Sequence, residues 1–296
     1  MIIGRTQIQG ACIGREVVFG SLWLSASALQ AILGALGQTD GMAVIQATIA
    51  YLNQLAASDR DKATALAGFI NEDPMLVCSL GLEPQGMSIP MPWRVIRSYG
   101  NEYIDTGYVI TSNNTSAKLR CSYMGDNGGA NVFFGHSENN NVRYAFWCGS
   151  NRSYLNVGQV NNQQLSFTPS DIINKEISLI TENGSATIAI EGLGSATYSY
   201  GGTVAGSRSS YLMAYHEAGN TTWKTKLRVA AYQLADDGTA VREMYPFIRK
   251  VNNVATLGMI DVLHDVLYTN AGSGQFTEEY GYMQNGQWVT WTPSTP

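Results

Sequence analysis

From residue 93 onward the chain is written in short runs of alternating apolar and polar residues, each closed by a turn signal. Alternation sends successive side chains to opposite faces of a strand. Recurrence of such runs at about 8–12-residue spacing predicts an antiparallel sandwich. The runs fall at 102–110, 117–124, 131–135, 142–148, 176–182, 185–191, 211–216, 222–234 and 241–248, with a last pair at 280–283 and 287–291. Asn183-Gly184 and Asn285-Gly286 predict type I′ hairpin turns, whose twist matches paired strands, and Asp236-Asp237-Gly238 predicts a third reversal. No longer period repeats, which argues against a solenoid or propeller.

Before residue 92 the pattern is different. Residues 2–20 mix Ile and Val with Gly4, Gly10, Gly14 and Gly20, and predict an extended arm or short hairpin. Three helices follow. Ser25 is a candidate N-cap for a stripe of Leu29, Ile32, Leu33 and Leu36, with Gly37 as its stop. A second helix starts near Thr39-Asp40 and carries Val44, Ile45, Thr48, Ile49, Leu52 and Leu55. A third starts at Ser58, with Leu66, Phe69 and Ile70 on its apolar face, and stops at Asn71–Pro74. Gln30, Gln46, Asn53 and Gln54 stand on outer faces where charge is usual, which suggests contact with another subunit. Three prolines within 82–92 predict a semi-rigid linker. The expected organisation is therefore 1–92, an arm plus a three-helix anchoring domain, and 93–296, the β-sandwich with its C-terminal hairpin.

A length of 296 residues is enough for two such units. Charged residues are only 14%, Lys+Arg 18 against Asp+Glu 23, and no basic stripe can be drawn, so nucleic-acid recognition through phosphates is excluded as an expectation. No apolar run reaches the roughly 18 residues of a membrane span, and the first residues lack a signal-peptide pattern. The four cysteines, at 12, 78, 121 and 148, form no CxxC pair and are read as buried thiols, although Cys121 and Cys148 lie on strands that could meet.

Three stretches of the second half resemble the laminin-G-like, concanavalin-like jelly-roll domains of gut Bacteroidetes and their bacteriophages. Glu102–Tyr108 (EYIDTGY) is similar to the family's opening strand. Asn131–Gly135 (NVFFG) with Tyr144–Trp147 (YAFW) is similar to its pair of core strands. Val241–Lys250, Leu257–Asp261 and Leu267–Phe276 are similar to its closing block, with His264-Asp265-Val266 where the family has a Gly-Lys turn. The resemblance covers about 101–277. It implies a jelly-roll fold, and the helical N-terminus ahead of it resembles virion fibre and decoration proteins of crAss-like phages. It thereby implies a virion location, attachment to other capsid or tail proteins through 1–92, and a homo-oligomer with a trimer preferred.

Catalytic patterns are weak. Sandwich glycosidases place two acids on one strand face, flanking the scissile bond. Glu102 and Asp105 are three apart and point to opposite faces; Glu278 and Glu279 are adjacent and diverge; Glu182 and Glu191 flank a hairpin. All of these are expected to be solvated surface acids. His216-Glu217 ends in Asn220 rather than the second histidine of a zinc helix. Asp126-Asn127 and Glu138–Asn141 offer hard oxygen donors, but loops are polar in any case. No catalytic residue, metal or cofactor is therefore expected, and the chain is read as a non-enzyme. Glycan binding to a host-surface polysaccharide fits best, because large aromatic faces with polar handles suit sugar rings. The candidate residues are Trp223, Tyr215, Trp288 and Trp291, while Tyr144 and Trp147 are expected in the core. A ligand-free capsid or tail component is the alternative, and a glycoside-degrading enzyme comes after it.

Overall fold

The structure, a computed structural model, describes residues 24–294 in full and, before them, the backbone of short strands within residues 2–23. In that arm β1 (Ile2–Ile3) pairs with β2 (Thr6–Gln7), and β3 (Ala11–Ile13), β4 (Glu16–Phe19) and β5 (Leu22–Ser25) form an antiparallel ladder. The side chains of residues 1–23, that of Cys12 included, lie outside what the structure describes.

Ser25 caps α1 (Ala26–Leu36) as expected, its hydroxyl accepting from the Ala28 N–H at 3.1 Å, and Gly37 at φ 81° ends it. α2 runs from Gln38 to Ser58 and α3 from Arg60 to Glu72. The cap of α3 is Asp59, whose carboxylate accepts from Lys62 N–H at 2.9 Å; Ser58 closes α2 instead, donating to the Leu55 carbonyl. A carboxylate one residue on outcompetes the hydroxyl because it also answers the positive helix end. Pro74 then opens a 3-10 turn, Pro74–Ser79, since it has no N–H to continue the α pattern.

Two sheets follow. The smaller runs β12 (Val160–Gln164), β11 (Ser153–Val157), β10 (Val142–Cys148), β9 (Asn131–Asn139), β16 (Ser209–Leu212) and β7 (Ile104–Val109). Beside β9 lie β17 (Tyr215–Glu217), paired parallel to it, and β18 (Asn220–Thr222). The larger runs β15 (Gly194–Ser199), β14 (Ser185–Ile190), β13 (Lys175–Glu182), β8 (Thr115–Tyr123), β19 (Leu227–Asp236), β20 (Thr239–Val251), β21 (Val254–Asp261) and β22 (Val266–Tyr268). From β19 it also branches through β6 (Trp93–Arg97) to β23 (Thr277–Gln284) and β24 (Gln287–Trp291). The two antiparallel sheets make a jelly-roll sandwich. In all three predicted reversals both central residues have the positive φ that a type I′ turn requires: Asn183 and Gly184 lie at φ 50° and 74°, Asp237 and Gly238 at 50° and 75°, Asn285 and Gly286 at 51° and 74°.

Between the sheets, Leu119, Phe134, Tyr144, Phe146, Leu155, Ile177, Leu179, Tyr232 and Met259 are among the buried residues of one core. Cys121 and Cys148 are buried in it as free thiols, and burial pushes the Cys148 thiol up to about 12. Gly135 is required here: a Cβ would stand 2.4 Å from both Ala145 Cβ and the Tyr144 carbonyl. A second core lies on the outer face of the larger sheet. Leu29, Ile32, Val44, Leu52, Leu66 and Ile70 of the helices join Tyr245, Phe247, Ile260 and Tyr280 of the strands. The apolar helix faces are thus closed by the sheet. Phe69 meets Phe247 edge-on, with ring centroids 6.0 Å apart. The exposed amides Gln30, Gln46, Asn53 and Gln54 remain on the far side.

Candidate functional site on the smaller sheet

Among the described residues, no helix packs on the outer face of the smaller sheet. Along β10, Tyr144, Phe146 and Cys148 point inward, so Ala145 and Trp147 must point outward. A register shift opposite Phe146/Trp147 leaves Phe133 as an extra residue and pairs Trp147 with Val132. Trp147 is therefore not a residue of the sandwich core, contrary to the expectation, whereas Tyr144 is: its ring is fully buried and its hydroxyl donates to the Leu179 carbonyl at 2.8 Å.

Around Trp147 four aromatic rings form a row. Tyr154, its cross-strand partner on β11, stacks on it at 4.2 Å and 14°. Trp223 approaches the other side at 6.2 Å, and Tyr215 lies parallel to Trp223 at 5.5 Å. Trp223 is 42% exposed, Tyr215 is buried beneath it, and Trp147 and Tyr154 are half-buried. Amides edge the row. Asn156 Oδ1 accepts from Trp147 Nε1 at 3.3 Å and from the Asn162 N–H at 2.7 Å, and Gln164 takes Arg152 beside Tyr154. Burial raises the Tyr215 phenol above its ordinary value.

A second aromatic group stands farther along the same sheet. Tyr211 is sandwiched by Tyr103 at 4.9 Å and His216 at 4.2 Å, and the Lys224 ammonium lies 5.7 Å above the Tyr103 ring. His216, which opened the incomplete zinc pattern, faces the Ser209 carbonyl through Nδ1 at 2.9 Å.

Of the four aromatic residues singled out in the sequence, the structure brings Trp223 and Tyr215 together and sets Trp288 and Trp291 apart. Both of the latter lie on β24, at the end of the larger sheet. Trp288 packs over Gly281 with the Arg228 guanidinium 5.2 Å from its ring, and Trp291 meets Tyr280 edge-on beside the helical core. Strand pairing through β6 carries that hairpin to the helical side of the molecule. Trp147 and Tyr154 were missed. Strict alternation from Tyr144 and Phe146 would have found the first.

The acids are mostly occupied. Glu102 is buried rather than solvated, accepting from the Tyr99 N–H at 2.7 Å. Glu278 and Glu279 diverge as expected but bind arginines: Glu278 meets Arg94 at 2.5 Å, and Glu279 meets both Arg97 and Arg228 at 2.6 Å. Glu182 and Glu191 are exposed. Asp126 accepts from the Gly128 and Gly129 N–H groups, Asn131 Nδ2 and Ser150 Oγ, which hold its carboxyl well below the usual range. Glu138 accepts from the Ser207 N–H and Asn140 from Arg143. These loop oxygens are taken up by backbone and side-chain donors of the protein itself. Among the described residues no group of three or more His, Cys, Asp or Glu side chains is arranged to hold a metal ion, and no helix is long and apolar enough to cross a membrane.

No family model matches this chain, and no curated protein does. Solved structures similar to it include a CBM40 domain of the Ruminococcus gnavus IT-sialidase, 8% identical, covering 49% of this chain and 90% of that one at a TM-score of 0.39. The heptameric SAP-like pentraxin of Limulus polyphemus is 9% identical, covering 48% and 75% at 0.36. The binding domain of Botulinum neurotoxin DC, solved with rat synaptotagmin II, is 10% identical, covering 70% and 67% at 0.30.

Proposed function

We propose that this protein is a non-catalytic glycan-binding module, and that the row Tyr154–Trp147–Trp223–Tyr215 is its platform. The observation that carries this reading is the half-exposed Trp223 indole, lying parallel to the Tyr215 ring beneath it, in a row whose Trp147 and Tyr154 are flanked by Asn156 and Gln164. A sugar ring offers a C–H face to an indole and hydroxyls to amides, and a rigid aromatic is immobilised at little entropic cost. The nearby Tyr103–Tyr211–His216 group extends the surface toward a second sugar unit.

The setting we propose is a phage virion, where the protein serves as a head or tail fibre or decoration protein and adheres to host-surface polysaccharide. Residues 1–92 attach it to other virion proteins, and the exposed amides Gln30, Gln46, Asn53 and Gln54 give the helices a polar surface on which copies associate, with a trimer preferred. Light scattering on the full chain at micromolar concentration tests the assembly; a monomer sinks it.

The binding reading is tested by passing full-length protein over bacterial surface polysaccharides while assaying reducing ends. Retention without release, lost on Trp223→Ala, is the expected result. Release of reducing ends overturns the non-enzyme reading, and retention unchanged by the substitution overturns the site.

A further inference from the structure

On the opposite side of the molecule, a polar cleft lies between the outer face of the larger sheet and the segment that leaves the helices. It consists of two adjoining hollows of about 460 and 470 Å³, both lined by Leu80, Lys118, Gln233 and Tyr245. Cross-strand register builds the floor: Lys118 on β8 pairs with Ser178 on β13 and Gln233 on β19, and Gln233 pairs with Glu243 on β20. Trp93 forms part of one wall, with the Arg120 guanidinium 4.8 Å from its ring.

The charges in this cleft are unequally distributed: the first hollow is lined by Glu83, Glu176 and Glu191 with Lys118 and Arg120, the second by Lys62, Lys118 and Arg242 with Glu243 as its one acid. Arg120 meets Glu191 at 3.0 Å, Lys62 meets Glu243 at 2.5 Å and Arg242 lies 3.7 Å from Asp261. Among the described residues, Lys118 has no carboxylate within ion-pair distance, although it stands on the floor shared by both hollows. The Ser79 hydroxyl also lines the cleft; it is 99% buried, at 1% exposure, and has no hydrogen-bond partner. A buried hydroxyl left unpaired costs free energy that a ligand group can recover.

We propose that this cleft is a second binding site, for a small carboxylated polyol of sugar-acid type. The carboxylate pairs with the Lys118 ammonium on the side of the second hollow, where Lys62 and Arg242 also stand, and hydroxyls meet Gln233 and Ser79. A hollow of this size lies in the usual range for small-molecule sites. The site is independent of the aromatic row, which lies on the other sheet.

The test is calorimetric titration of full-length protein with digalacturonate and with its neutral counterpart, digalactose, followed by the same titrations of Lys118→Gln and Trp223→Ala. Lys118 is exposed, so its replacement leaves the fold intact. Digalacturonate should bind at least tenfold more tightly than digalactose. Lys118→Gln should remove that preference, and Trp223→Ala should leave it unchanged. Equal binding of the two sugars, no binding at millimolar concentration, or a preference that survives Lys118→Gln overturns the proposal. A preference lost only in Trp223→Ala moves the acidic-sugar site to the aromatic row and also overturns it.

Discussion

The indole of Trp223 lies 7° from parallel to the Tyr215 ring, while its own backbone is held at φ 47°. A left-handed backbone costs a non-glycine residue about 1–2 kcal/mol. The Trp223 carbonyl, accepting from the Val132 N–H at 3.1 Å, helps to hold that conformation. Backbone strain of this kind clusters where a side chain must be aimed.

Two replacements separate the ring from the strain. Trp223→Ala removes the ring and keeps the unfavourable φ, whereas Trp223→Gly removes both. Both should abolish glycan retention. Thermal unfolding should find the glycine variant the more stable of the two, by up to about 1 kcal/mol. An alanine variant that unfolds at the higher temperature would contradict the strain.

His136 should make stability depend on pH. It is buried on β9, its Nε2 donates to the Val204 carbonyl at 3.1 Å, and Glu138 and His216 are the titratable neighbours that face it. Burial lowers its pKa from 6.5 to about 4. The unfolded chain then binds the extra proton between these values, so stability is full above about pH 6.5 and falls as the pH drops toward 4. The loss between pH 7 and pH 5 should be about 2 kcal/mol by urea unfolding. His136→Gln should flatten that slope, and an unchanged slope would assign it to other groups.

Arg94 should be the most sensitive charge. It is 1% exposed and holds Asp73 at 2.6 Å and Glu278 at 2.5 Å, while Asp73 also accepts from the Ile248 N–H at 2.8 Å. The cluster ties the end of α3 to β6, β20 and β23. Removing one partner strands a buried charge and costs about 3–5 kcal/mol. Denaturant unfolding of Arg94→Met should show that loss, and adding Asp73→Asn with Glu278→Gln should recover part of it. A loss under about 1 kcal/mol would mean the cluster is solvated.

The sandwich was legible before any coordinates because its evidence is local. Period-two alternation names strands, and Asn-Gly or Asp-Gly at a reversal demands φ values that few other pairs adopt. Ser25 and Gly37 marked the ends of α1 for the same reason: a cap is decided by its own backbone and the next few N–H groups. The candidate site was half legible. Trp223 and Tyr215 stand out by type and by nearness in sequence, whereas Tyr154 joins them only through the β10–β11 register.

What the sequence by itself determined was therefore the three helices, most of the long strands, the turns and the absence of a paired-acid strand motif, all set within a few residues of chain; β6, β11, β12, β15 and β22 were not among the runs it marked. Tertiary structure alone decided how the aromatic residues of β9 and of the C-terminal hairpin were placed. A bulge on β9 turned both Phe133 and Phe134 into the core, and pairing of β23 with β6 took Trp291 to the helical side. The helices' apolar faces likewise found their partner in strands some 200 residues away, such as Phe247 against Phe69. Those outcomes depend on register and on burial between distant segments, and neither is written in any short stretch of sequence.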